Sequence, residues 1–89
     1  MKQKNIVITG GARGIGAACV RLFAQKGWNV AFTFNKSNAE ADALLSEIRP
    51  YGWMYQALQC DVADFEAVQN VFSQVSKTFG ALDVLVNNA

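Results

Sequence analysis

Thr9-Gly10-Gly11-Ala12-Arg13-Gly14-Ile15-Gly16 decides the fold, because a β-branched run ends at its first residues and a helical period begins at its last. Before it, Asn5-Ile6-Val7-Ile8-Thr9 has no polar alternation, the pattern of a strand buried on both faces of a parallel sheet. After it, Ile15, Ala18, Cys19, Leu22 and Phe23 define an apolar stripe, with Lys26 in the last turn and Gly27 as the stop. Glycines between a strand and a helix let backbone approach a pyrophosphate, which would lie on the helix N-terminus. Gly10 permits the tight exit from the strand, Gly14 keeps a side chain out of the ligand's way, and Gly16 lets helix and sheet pack closely. A turn with no ligand shares the glycines but does not need the helix and second βα unit that follow.

Further along, strand and helix alternate. Trp28 to Phe34 reads as the second strand, and Ser37-Asn38-Ala39-Glu40 carries the spacing of a capping box before a helix with the stripe Ala41, Leu44, Leu45 and Ile48. Pro50-Tyr51-Gly52 ends that helix, and a third strand fits Met54 to Cys60. Asp61-Val62-Ala63-Asp64 leads into a long helix, with Asp64 as its N-cap, Phe65, Val68, Val71, Phe72, Val75 and Phe79 at helical spacing, and Gly80 as its stop. Leu82 to Val86 forms the last strand, followed by Asn87-Asn88-Ala89. The order βαβαβαβ predicts an α/β fold: a Rossmann-type parallel sheet with helices on both faces, of which four strands and three helices are present.

Composition narrows the function. The chain has 89 residues, 52% of them hydrophobic, and its eight Lys and Arg against seven Asp and Glu give a net charge of +1. This near balance gives no support for a nucleic-acid or anionic-membrane surface. Without His, and with Cys only at positions 19 and 60, the chain offers no zinc ligand set and no His for a triad. The cysteines read as reduced, buried apolar groups, and the run Ile6-Val7-Ile8 is too short for a secretion signal, so the cytoplasm is the expected location. Nor does any stretch approach the roughly 18 apolar residues of a membrane span. The Gly-Lys-Ser or Gly-Lys-Thr of a phosphate-binding NTPase loop is absent.

Three motifs together resemble the short-chain dehydrogenases and reductases, in the compact subgroup with the glycine motif T-G-x-x-x-G-x-G. Gly10, Gly14 and Gly16 match that spacing, Asp61-Val62 matches the adenine-contacting acid and its neighbour, and Asn87-Asn88-Ala89 matches an N-N-A-G motif cut before its glycine. The resemblance points to 3-oxoacyl-carrier-protein reductase-like members. It implies hydride transfer between a nicotinamide cofactor and a carbonyl or alcohol, with the loop residues Ala12, Arg13 and Ile15 among the cofactor contacts.

Charge argues for NADP in preference to NAD. An NAD site usually places an acid about 20 residues beyond the glycines for the ribose 2′-hydroxyl, whereas here the second strand ends Phe34-Asn35-Lys36-Ser37, with no acid before Glu40. Arg13 and Lys36 can both be placed near a 2′-phosphate. Surface solvation is their plain alternative, as turn or cap chemistry is for Asp61. Asn87 and Asn88 fall beside the crevice where such sheets bind ligands, with a role in cofactor contact, in tying strands together, or in both.

The catalytic Ser, Tyr and Lys that the resemblance implies cannot be located. Tyr51 and Tyr55 are the only tyrosines, and neither has Lys four residues on. Ser37, Ser46, Ser73 and Ser76 lie in or beside helices and read as caps or helix surface, and the aromatic residues Tyr51, Tyr55, Trp28 and Trp53 read as packing at strand ends. The expectation is therefore the N-terminal part of a longer, homo-oligomeric reductase acting on a small carbonyl or alcohol, with these 89 residues inactive alone. Val84-Leu85-Val86 would leave an apolar strand edge able to pair or swap with another chain. The alternative is a non-catalytic NAD(P)-binding module or redox sensor.

Overall fold

The computed structural model describes residues 3–88. Its elements follow in the order β1 (Asn5–Thr9), α1 (Gly14–Gln25), β2 (Asn29–Phe34), α2 (Asn38–Ile48), a 3₁₀ turn (Arg49–Tyr51), β3 (Tyr55–Gln59), α3 (Phe65–Phe79) and β4 (Val84–Asn87). All strand pairs are parallel, in the order β3-β2-β1-β4. The strands are slightly shorter than the sequence suggests. Trp28, Met54, Cys60, Leu82 and Asp83 lie just outside them, while Asn87 pairs with Thr9 and belongs to β4.

The unbroken apolar runs have the predicted cause. Ile6, Val7 and Ile8 are completely buried because the sheet is covered on both faces. Ile6, Ile8, Val30 and Phe32 pack with α1 and α2 through Val20, Ala24, Ala41, Leu44 and Ile48. On the opposite face Val7, Ala31, Leu58 and Cys60 meet Val71 and Val75 of α3. Burying each large aliphatic or aromatic side chain stabilises the fold by about 1.5–3 kcal/mol.

Two helices turn differently from their sequence reading. In α1 the buried face is Gly16, Ala17, Val20 and Ala24, whereas Ile15 is 76% and Leu22 49% exposed. A helix that starts hard against a glycine loop must present its small side chains inward, so the stripe drawn through the larger ones, Ile15, Ala18, Cys19, Leu22 and Phe23, lies rotated from the contact face. Cys19 and Phe23 remain at its margin, packed against the core. In α3, Phe65 at the first turn is 74% exposed.

The caps also divide. Asp64 caps α3 as predicted, its Oδ1 accepting from the Ala67 amide at 3.2 Å. Ser37 sits at the N-cap of α2, but its side chain makes no capping bond and the Ser37/Glu40 box does not form. Its φ and ψ of −94° and 56° lie outside the extended region from which N-cap hydroxyls reach back into the first turn. Gly27 and Gly52 stop their elements as expected, at φ 88° and 87°.

The amino ends of the strands are locked by amides. Asn29 Nδ2 donates to Asn5 Oδ1 at 2.8 Å, and Asn29 Oδ1 accepts from the Met54 amide at 2.9 Å, which connects β1, β2 and the entry to β3. Asn5 Nδ2 donates to the carbonyls of Phe79 and Ala81, and its backbone N–H donates to Asp83 Oδ2 at 2.8 Å, drawing in the entry to β4. Val84 and Leu85 of β4 are exposed, and β4 pairs only with β1 among the described residues. Among these residues no helix is long and apolar enough to cross a membrane.

Candidate functional site

The sheet order reverses between β2 and β4, on either side of β1, and that is where an open α/β sheet forms a crevice beyond the carboxyl ends of its strands. The glycine loop occupies it. Gly10 leaves β1 at φ 65°, with its N–H donating to Thr33 Oγ1 at 3.1 Å, and the next amide, of Gly11, donates to the Thr33 carbonyl at 2.9 Å. Thr33 thus answers a question its sequence poses. A hydroxyl in a buried apolar strand must find a partner, and this one finds the first amide of the loop.

Two glycines of the loop are required for opposite reasons. A Cβ on Gly16 would collide with the Gly10 carbonyl and approach Asn88 Nδ2, so only glycine lets α1 start this close to the end of β1. At Gly14, with φ 58°, a Cβ would meet nothing within 4 Å. The backbone at Gly14 is therefore open to solvent. Gly11, which the spacing argument passed over, is buried where a Cβ would press on Phe32 and Val20.

The start of α1 is bare. Arg13 is its N-cap in extended conformation, no side chain caps it, and no acid occupies its first turn. The first turn's own bond is Ala17 N to Arg13 O, at 3.2 Å, which leaves the amides of Gly14, Ile15 and Gly16 ahead of the helical ladder. Those donors and the positive end of the helix dipole make a site for an anion.

Around this helix start lies a cleft of about 430 Å³ lined by Gly10, Ala12, Arg13, Phe34, Asn35, Lys36, Ser37 and Asn88. The structure therefore gathers seven of the residues expected in the site from three separate stretches of chain. Its two charged lining groups are both cationic. Neither forms an ion pair among the described residues, where the salt bridge is Arg21 to Glu47, so their charge is available to a ligand. Ser37, whose side chain makes no capping bond, lines the same space.

Beside it a smaller cavity of about 160 Å³ is lined by Gly10, Thr33, Phe34, Asn35, Cys60 and Val62. Its walls suit a flat ring. Burial pushes the Cys60 thiol upward from the ordinary range, and the carboxylates of Asp61 and Asp64 push it the same way, so it remains a neutral wall. Phe34 and Cys60 were not expected in the site from the sequence; the signal available was their place at the carboxyl ends of adjacent strands. Asp61 lines neither space. Its Oδ1 accepts from the Ala63 amide at 2.9 Å, the turn chemistry that was its plainer reading.

The two asparagines at the end of β4 face β1. Thr9 Oγ1 donates to Asn87 Oδ1 at 3.1 Å and accepts from the Asn88 amide at 2.9 Å, while Asn88 Nδ2 donates to the Gly10 carbonyl at 3.1 Å. Both side chains tie strands together, and Asn88 also lines the cleft. Ala89 lies outside the described residues.

A parallel sheet with this order, a glycine turn at its reversal point and a bare helix start define a Rossmann-type nucleotide-binding fold. Residues 4–89 match the family model of the short chain dehydrogenases, and the chain belongs to that family. It is 41% identical over 86 residues to the 3-oxoacyl-acyl-carrier-protein reductase FabG of Staphylococcus aureus, covering 97% of this chain and 35% of that protein. A short-chain dehydrogenase/reductase homolog of Bacillus subtilis, YusS, is 36% identical over 87 residues, covering 98% of this chain and 80% of the homolog. The crystal structure of a short chain dehydrogenase from Burkholderia cenocepacia in complex with NADP superposes with a TM-score of 0.94 at 44% identity, over 99% of this chain and 36% of that one. The chain thus spans about a third of the length of its FabG relative.

Proposed function

We propose that the chain is the cofactor-binding portion of an NADP-dependent short-chain oxidoreductase that transfers hydride between NADP(H) and a carbonyl or alcohol. The observation that carries this reading is the cleft at the start of α1, where Arg13 and Lys36 stand with no carboxylate in the lining. A carboxylate there would favour a free ribose 2′-hydroxyl, whereas two cations without an ion-pair partner among the described residues favour a 2′-phosphate. The NADP bound to the Burkholderia relative supports the same choice.

In this reading the amides of Gly14, Ile15 and Gly16 take the pyrophosphate, and Arg13, Asn35, Lys36 and Ser37 surround the 2′-phosphate. The smaller cavity takes the adenine between Phe34, Cys60 and Val62, and Asp61, which follows Cys60 in the chain, would have to turn its carboxylate from the Ala63 amide to accept from the ring's amino group. Asn88 holds the Gly10 carbonyl and so fixes the floor of the site. The nicotinamide supplies or accepts the hydride when the cofactor is bound. Proton transfer to the substrate belongs to groups beyond this stretch, in a longer protein located in the cytoplasm.

Arg13→Ala tests the cofactor choice. It is expected to weaken NADPH roughly tenfold to a hundredfold more than NADH, the worth of one charge-assisted hydrogen bond, in a fluorescence titration. An equal loss for both cofactors would overturn the reading.

A second reading, a non-catalytic NAD(P)-binding module, is favoured by one observation: the Bacillus homolog is itself short enough for this chain to cover 80% of it. Sequencing the source gene past the Ala89 codon separates the two. A continuing frame with a Ser and a Tyr-x-x-x-Lys supports the enzyme, and a stop codon supports the module.

A further inference from the structure

The pairing of β2 with β3 continues one step past the strands themselves. Phe34 and Gln59 are the last partners in register, and the Cys60 amide then donates to the Phe34 carbonyl at 2.8 Å. Beyond this point the chain bends away through Asn35 and Lys36. The next carbonyl, that of Asn35, accepts from a side chain, the Nε2 of Gln59, at 3.0 Å. A carbonyl accepts only from the NH₂ end of the amide, so Gln59 acts here as a donor in place of a ladder N–H.

That bond has a consequence one residue along. The Asn35 carbonyl and the Lys36 amide belong to one rigid peptide plane, so anchoring the oxygen sets the direction in which Lys36 and then Ser37 leave the strand. Both line the 430 Å³ cleft with Arg13, which Gln59 does not; Gln59 lines instead a groove between β3 and α3, with Gln56, Asn70 and Gln74.

We infer that Gln59 is a positioning residue for cofactor selectivity: its side-chain amide holds the Asn35–Lys36 peptide so that Lys36 and Ser37 face the 2′-phosphate of NADP. The inference rests on the NADP reading above and adds a group that never touches the cofactor. Asn35 also borders the smaller cavity, but the groups that this peptide aims, Lys36 and Ser37, line only the larger cleft of the two, so loss of the bond acts chiefly on the 2′-phosphate.

Two variants of the chain test it, Gln59→Met, which keeps length without a donor, and Gln59→Glu, which keeps shape and only accepts. Each is titrated with NADPH and with NADH by fluorescence, alongside circular dichroism and thermal melting. NADPH affinity should fall roughly three- to tenfold, the worth of one hydrogen bond, while NADH affinity and the melting midpoint hold, because Gln59 is exposed. Parallel loss of both cofactors, or an unchanged NADPH affinity, overturns the inference. The outcomes also separate the two levels of the argument. If the unaltered chain binds NADPH and NADH equally, the NADP reading fails and this one with it. If the unaltered chain prefers NADPH and the Gln59 variants keep that preference, only the role of Gln59 is lost.

Discussion

At the two ends of the sheet the chain treats its polar groups in opposite ways. At the amino ends, Asn5 and Asn29 are almost wholly buried, and they spend their side-chain amides on each other and on the backbone of Met54, Phe79 and Ala81. At the carboxyl ends, the first amides of α1 face an open cleft with no side-chain cap and no acid in the first turn. The start of α3 shows what the same chain does where nothing is to bind, since there Asp64 accepts from the Ala67 amide and Glu66 adds a charge to the first turn. Donors are closed off by side chains at the start of α3 and left unspent at the start of α1, where the proposed cofactor would bring its phosphates.

The contrast breaks most severely at Gly16. Gly16→Val would drive a branched side chain into the Gly10 carbonyl and the Asn88 amide, so the loop must move away from β1 or α1 must lift. NADPH affinity is expected to fall on the order of a hundredfold, in line with the cost of overpacking a tight contact. A titration that finds the variant binding like the parent would show that the loop's close fit is not what shapes the site.

At the other end, Asn5→Ala should act on stability and leave binding alone. It removes the donor to the Phe79 and Ala81 carbonyls and leaves the buried Asn29 Nδ2 without its acceptor, which costs about 2–3 kcal/mol. Denaturant unfolding reads the loss directly. A variant of unchanged stability, or one that binds NADPH less well while still folded, would contradict the division of labour between the two ends.

Much of this was legible in advance, because alternating runs and glycine stops carry the element order whatever the details of packing. The glycine spacing likewise located the loop that lines the cleft. Residues whose role is set by a partner far along the chain were not legible. Thr33 reads as one more strand residue until Gly10 is placed 3.1 Å from its hydroxyl, and Asn5 reads as a strand start until Asn29 and Asp83 arrive beside it. The stripe of α1 failed for a related reason: hydrophobicity ranks Ile15 and Leu22 above Gly16 and Ala17, while the close approach of the helix to the sheet selects for smallness.

The smallest effect isolates the difference between the two helix starts. Asp64→Ala deletes the carboxylate that accepts from Ala67 N and costs about 1 kcal/mol, the usual worth of an N-cap. Unlike the Asn5 network, this bond is exposed, so water can replace the lost acceptor and the penalty stays modest. The same amides at the start of α1 have no side-chain cap to lose. Saturating NADPH should therefore raise the melting midpoint of Asp64→Ala and of the parent by equal amounts, because the ligand occupies donors that Asp64 never served. A smaller ligand-induced rise in the variant would mean that the two helix starts are coupled through the sheet and that the bare end of α1 depends on the sealed end of α3.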